Sequence, residues 1–229
     1  MNYIYKFDKE LCWYKNTCKK YNKNLCNSSC FRYMEIDFLM YESGIPKNKQ
    51  INLVVISDKQ DANAFNQLQE IKDNIVEFTK QGKNLYIYSE NFGNGKTTWA
   101  IKIMLKFFDE IWAGNGFRPR GLFVHVPTFL VDLKENIRKE KKDFPDFLEK
   151  LNTVDLIIWD DIASTKLSEY DYCNLLTYID KRLLTGLSNI YTGNLNKNEL
   201  PEAVGQRLAS RIYNESKSIQ LLSKDKRGL

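Results

Sequence analysis

Ser89-Glu90-Asn91-Phe92-Gly93-Asn94-Gly95-Lys96-Thr97-Thr98 is the stretch on which the reading of this chain turns. An apolar, strand-like segment, Leu85-Tyr86-Ile87-Tyr88, leads into it, and Trp99-Ala100-Ile101-Lys102-Ile103-Met104-Leu105 follows as a run long enough for a buried helix. Strand, glycine-bearing loop, Lys-Thr and helix, in that order, are the setting of a phosphate-binding loop. The glycines let backbone N–H groups converge on an anion, and the helix N-terminus adds partial positive charge. Gly93, Asn94, Gly95, Lys96, Thr97 and Thr98 then cradle a nucleotide. Lys96 reaches its β- and γ-phosphates, and the Thr97 hydroxyl ligates magnesium. Glu90 departs from the usual G-x-x-x-x-G-K-[ST] pattern, in which that position is glycine. An accidental Gly-Lys-Thr helix start would need the flanking strand to be a coincidence as well.

Downstream, Val154-Asp155-Leu156-Ile157-Ile158-Trp159-Asp160-Asp161 sets four consecutive apolar residues before two acids. Such a run reads as a fully buried central strand, and parallel α/β sheets bind ligands at the carboxyl ends of their strands. Asp160 is placed to hold magnesium, directly or through water, and Asp161 to orient or deprotonate the attacking water.

The rest of the chain supplies the alternating elements of an α/β domain. Ile51–Ile56 reads as a strand, and residues 62–79 as one helix with Phe65, Leu68, Ile71, Ile75 and Phe78 on its apolar face. The helix after the phosphate loop is expected to end near Gly114-Asn115-Gly116. Leu122–Val126 reads as a strand, and the sole histidine within it, His125, as a packing residue. Residues 128–151 read as one charged helix, Tyr170–Leu184 as an amphipathic helix and Asn189–Thr192 as a strand. Pro201 suits the first turn of a helix that carries Arg207 and Arg211 on one face. Ser218–Leu222 closes the set as a strand.

Composition bounds the class. With 229 residues, 43% hydrophobic and 28% charged, the chain is globular rather than disordered. No apolar run reaches the ~18–20 residues that span a bilayer. The amino-terminal residues lack the apolar core of a signal peptide, so a cytoplasmic location and no membrane partner are expected. The net charge of +5 is unevenly placed, with bases and no acids over residues 12–32, which is compatible with a nucleic-acid partner. Four of five cysteines fall close together, Cys12, Cys18, Cys26 and Cys30. In a cytosolic protein this clustering predicts a tetrahedral zinc module. The spacing C-x5-C-x7-C-x3-C is looser than paired C-x2-C, and reduced thiols packed as small residues are the alternative. Cys173 reads as buried packing, and Pro46 marks a boundary between residues 1–45 and 46–229.

In this order the motifs resemble the bacterial and phage replicative-helicase loaders of the DnaC/DnaI type, a branch of the AAA+ ATPases. Gly93-Asn94-Gly95-Lys96-Thr97 matches Walker A, and Ile157-Ile158-Trp159-Asp160-Asp161 matches Walker B. Tyr191-Thr192-Gly193-Asn194 resembles the sensor 1 strand with Asn194 as its polar tip. Gly205 to Ile212 resembles the arginine-finger helix, with Arg211 the first candidate and Arg207 the second. Arg227 falls where these loaders keep a sensor 2 arginine.

The resemblance implies an AAA+ P-loop core without a C-terminal lid, behind a cysteine-rich module that contacts the helicase. It further implies ATP and Mg2+ as cofactors, the hexameric replicative helicase and single-stranded DNA as partners, and self-association through shared ATP sites. Asp161 replaces the usual second-acid glutamate, which predicts slow, assembly-dependent ATPase activity. A transposition helper of the same branch, and a non-hydrolysing helicase-binding or inhibitory module, are the other readings. Lys- and Asn-rich usage points to an AT-rich source such as a phage.

Overall fold

The computed structural model describes residues 3–23, 25–50, 53, 55, 58–111, 117–139, 142–164 and 166–226. In chain order the regular elements are α1 (Lys19–Asn22), α2 (Phe31–Glu42), α3 (Ala62–Asp73), α4 (Ile75–Lys80), β1 (Asn84–Tyr88), α5 (Lys96–Glu110) and β2 (Gly121–His125). They continue with α6 (Val126–Lys139), α7 (Phe144–Thr153), β3 (Leu156–Asp160), α8 (Glu169–Leu184), β4 (Ser188–Gly193), α9 (Leu200–Val204), α10 (Gln206–Asn214) and β5 (Lys217–Gln220). Among the described residues the strands form one five-stranded sheet in the order β2-β3-β4-β1-β5. Every pairing is parallel. β1, which feeds the phosphate loop, therefore lies between β4 and β5 rather than beside β3.

Parallel sheets are covered on both faces, and two apolar clusters do this here. One packs α2, α3, α4 and α5 against Leu85, Ile87, Ile158 and Ile190. The other packs α6, α7, α8 and α10 against Tyr86, Ile157, Trp159 and Tyr191. β3 and β4 are buried along their whole length; the apolar run Leu156–Trp159 explains the first, whereas in β4 the buried Asn189 and Thr192 are hydrogen-bonded to Asn84 and Asp160. Ile36, Leu39, Met40 and Ile45 belong to the same cluster as Ile101 and Met104 of α5, so α2 lies against the core of the main sheet.

Several expected boundaries shift, each for a local reason. The helix expected over residues 62–79 divides at Asn74 (φ −112°, ψ 24°), whose side-chain amide donates to Glu70 O and ends α3. Asparagine readily trades helical bonds for such local ones. The helix expected over residues 128–151 is two helices. Pro145 sits in the first turn of α7, where its missing N–H costs nothing, whereas mid-helix it would break the ladder. Pro127 likewise lies inside the first turn of α6 instead of merely closing the strand. Gly205, at φ +81°, separates α9 from α10 within what reads as one helix. Cys173 is exposed rather than buried. The strand expected over Ile51–Ile56 and the helix end at Gly114–Gly116 fall largely or wholly outside the described residues.

Candidate nucleotide-binding site

β1 delivers the chain to the phosphate loop at the carboxyl end of the sheet. Gly93 (φ +65°) and Gly95 (φ +101°) occupy the left-handed region, which glycine enters without a Cβ penalty. The turn they make starts α5 at Lys96, whose ammonium is buried and donates to Asn91 O at 2.8 Å and Asn94 Oδ1 at 3.4 Å. The lysine thus lies folded over its own loop. Asn94 Nδ2 donates to Ser89 Oγ at 2.6 Å, bracing the loop from inside. Glu90 and Phe92 stand on its exposed rim.

Thr97 projects from the first turn of α5 and donates to Asp160 Oδ1 at 2.7 Å. Thr192 of β4 donates to the same oxygen, also at 2.7 Å, so two hydroxyls converge on one carboxylate at the tip of β3. Burial pushes the Asp160 carboxyl above the ordinary carboxylate range, against the opposing pull of the Thr97 and Thr192 hydroxyls. Asp161 next to it takes φ +56°, the sole positive φ of a non-glycine among the described residues. Its N–H donates to Thr192 Oγ1 at 3.1 Å, which holds that strained turn. Asn194 follows β4 at the neighbouring strand end and is half-buried. The loop and the acids expected from sequence are therefore brought together.

His125 corrects its expected packing role. It pairs in register with Asp160 across β2 and β3, and its side chain is 42% exposed. Nδ1 lies 2.8 Å from Thr128 Oγ1 and Nε2 lies 3.7 Å from Asp161 Oδ2. Alternation puts it on the same face of β2 as Phe123, which packs on the first cluster, but the strand ends at His125 and leaves the imidazole at the sheet's rim. Its position in the final residue before a helix was the available signal.

A second contribution that sequence reading missed is residues 221–226. Lys226 N donates to Gly93 O at 3.1 Å, Asn91 Nδ2 to Leu222 O at 3.0 Å and Asn94 Nδ2 to Ser223 O at 3.3 Å. Buried Asp61 accepts from the amides of Leu222 and Ser223. The phosphate loop is stitched to this returning segment, and Arg227, next along the chain, lies outside the described residues.

Arg207 and Arg211 take up a different position. Both bind Asp180 of α8, at 2.7 and 2.8 Å, and Arg211 also reaches Glu215 at 3.0 Å. The structure engages them with those acids and not with the Lys96–Asp160 group. Asp180 holds the Arg211 guanidinium above its usual range.

Cys12, Cys18, Cys26 and Cys30 all line one cavity of about 260 Å³, beside Tyr14 and Arg32. All four are free thiols and half-buried. Backbone N–H groups of Tyr21 and Lys20 pull the Cys18 thiol down, whereas burial pushes Cys12 and Cys26 up. Cys26 is in side-chain contact with Cys18, but no three of the four sulfurs lie within 4.8 Å of one another. Among the described residues, the group of three metal-ligand side chains whose donor atoms all lie within 4.8 Å of one another is His125, Asp160 and Asp161.

With this geometry in hand, the chain can be set beside known proteins. No protein-family profile matches it, and no curated protein does. Solved structures do. The DnaC helicase loader superposes with a TM-score of 0.64 at 19% identity, over 77% of this chain and 99% of that one. DnaI superposes with a TM-score of 0.62 at 18% identity, over 78% and 95%. The replication initiator DnaA bound to AMPPCP and single-stranded DNA gives 0.61 at 16% identity, over 78% of this chain and 51% of that one. At these identities the likeness is one of fold, the parallel α/β architecture that the chain shares with these proteins. No helix among the described residues is long and apolar enough to cross a membrane.

Proposed function

We propose that this chain is an ATP-dependent loader that places the hexameric replicative DNA helicase on single-stranded DNA during replication initiation. The junction of Thr97 and Thr192 on Asp160, with Lys96 beside it, carries the reading, because it occurs in a fold shared with DnaC and DnaI. Bound ATP with Mg2+ supplies a polarised phosphoryl group at this junction. Toward it, Lys96 leaves Asn91 O and neutralises the phosphates, while the Gly93–Thr98 backbone encloses them. Thr97 and Asp160 are the residues that would hold magnesium. Asp161 would orient the water, Asn194 would serve as the polar sensor, and Arg227 would be the second arginine that meets the phosphates.

Arg211, with Arg207 second, leaves Asp180 to complete a neighbour's site, so activity depends on self-association. An arginine supplied in trans accelerates hydrolysis by roughly 10³–10⁵. Residues 1–45 act as the helicase-binding module. The four thiols fit a structural zinc by donor type and by their common cavity.

The test compares helicase loading and ATP turnover for the wild type and Lys96→Ala. Loss of both in the variant is expected. Loading that survives Lys96→Ala overturns the ATP-driven reading in favour of a non-hydrolysing helicase-binding module, which the short Asp161 side chain and the occupied Arg211 favour. Capture of a transposase on duplex DNA, in place of the helicase, would identify a transposition helper.

A further inference from the structure

The chemistry of Mg2+ at a P-loop does not call for an imidazole, yet one stands at this centre. His125 Nε2 and Asp161 Oδ2 are 3.7 Å apart, too far for a hydrogen bond. Two ligands of one cation at ~2.1 Å, set at 90–120° to each other, stand roughly 3.0–3.7 Å apart. Thr128 Oγ1 sits 2.8 Å from Nδ1. When Nδ1–H donates to it, Nε2 turns a lone pair toward the Asp161 carboxylate, the second-shell arrangement that orients a metal-binding histidine. Asp160 spends Oδ1 on the Thr97 and Thr192 hydroxyls, which leaves Oδ2 for a third ligand. The donor atoms of all three side chains lie within 4.8 Å of one another. Each comes from the carboxyl end of β2 or β3, so the sheet fixes their spacing.

We propose that His125, Asp160 and Asp161 bind a first-row transition dication of the Mn2+ type, in preference to Mg2+. One nitrogen with two carboxylates is a borderline donor set, and Mg2+ favours all-oxygen coordination. Thr128 is the positioning residue. The proposal rests on the reading of Asp160 as a metal ligand but not on ATP binding, and it gives Asp161 a ligand role in the nucleotide-free protein besides its orienting of water.

The test titrates Mn2+ into nucleotide-free protein and follows the free-ion signal by electron paramagnetic resonance, with Mg2+ as competitor. Mn2+ favours oxygen and nitrogen over thiolate, so the cysteine cavity stays silent. We expect the wild type to bind one Mn2+ that equimolar Mg2+ does not displace. His125→Ala and Asp161→Asn should each weaken binding by ~10-fold or more. His125→Asn, closer in shape, should give the same loss with an unchanged Tm. Lys96→Ala should retain Mn2+ while losing an ATP analogue, which separates this site from the nucleotide reading. Equal Mn2+ affinity in the wild type and both His125 variants, or displacement by equimolar Mg2+, overturns the proposal.

Discussion

Around Asp160, hydroxyls from a helix and a neighbouring strand already rest on the carboxylate before any ligand arrives. Around Cys12 the polar groups are placed by short turns, such as Cys18 N to Tyr14 O and Cys30 N to Asn27 O, and four thiols share a cavity without converging. The sheet fixes the first site through register, because adjacent strand tips are bonded residue by residue. The second has no such frame and owes its order to aromatic packing of Tyr5 and Phe7 on Tyr33. A preorganised site loses little entropy on binding, whereas a loosely framed one gains its structure from the ligand. The difference predicts that the two regions respond to perturbation independently.

The most severe break in the comparison is expected from Lys96→Ala. It should lower ATP turnover by about 10²-fold or more while leaving Tm within a few degrees, since the ammonium's bonds to Asn91 O and Asn94 Oδ1 lie within its own loop. A Tm that collapses would show that the first site is not preorganised. Next comes Arg182, fully buried and bonded to Asn189 Oδ1 and to the carbonyls of Leu151, Val154 and Ser188. Burial brings this guanidinium down to about 10. Arg182→Ala takes the guanidinium from three buried carbonyls and from Asn189 Oδ1, which keeps only its bond from Trp159 Nε1, and should cost about 3–5 kcal/mol, or roughly 10 °C in Tm, measured by calorimetry. It should leave metal stoichiometry at the cysteines unchanged.

With zinc at the four cysteines as proposed, chelation should do the reverse, exposing residues 12–30 to protease while the core transition shifts by less than ~2 °C. A matching loss of the core would join the two regions and sink the comparison. The smallest effect belongs to Asp160→Asn. A carboxyl whose folded pKa is raised by burial binds its proton more tightly in the native state. That state therefore gains stability as pH falls through the window between the ordinary and the raised value. The neutral amide should capture this gain at pH 7 as ~1–3 °C in nucleotide-free protein and lose it on acidification, the smallest of these shifts in Tm.

Much of this arrangement was legible in the residues, and what escaped did so for physical reasons. Leu156–Trp159 could hardly be other than a buried strand, and Gly95-Lys96-Thr97 after an apolar run announces its loop. Pro145 and Asn74 were visible as breakers, but the periodicity of the flanking residues masked them. His125 reads as packing because a lone histidine cannot build a histidine-based metal or triad site, but a strand's last residue stands at the rim, where the carboxylates of Asp160 and Asp161 can join it. Arg182 sits in an amphipathic helix like any surface arginine, and only the folded chain reveals the carbonyls that draw it inside. The bonds from residues 221–226 to the phosphate loop span more than a hundred positions, beyond the reach of any local pattern. The capture of Arg207 and Arg211 by Asp180 reaches back about thirty positions, from one helix to another, and no local pattern announces it either.

The central place of β1 bears on how the protein is made. Both of its neighbours, β4 and β5, are translated more than a hundred residues later, and the loop's last backbone bond waits for Lys226. A nascent chain that has already emitted Lys96 holds an unpaired strand with apolar faces and nothing to dock it. Such long-range closure is slow and exposes sticky edges on the way. The ribosome-bound intermediate is thus the stage at which this chain most needs a chaperone, and at which ATP finds no finished site to stabilise.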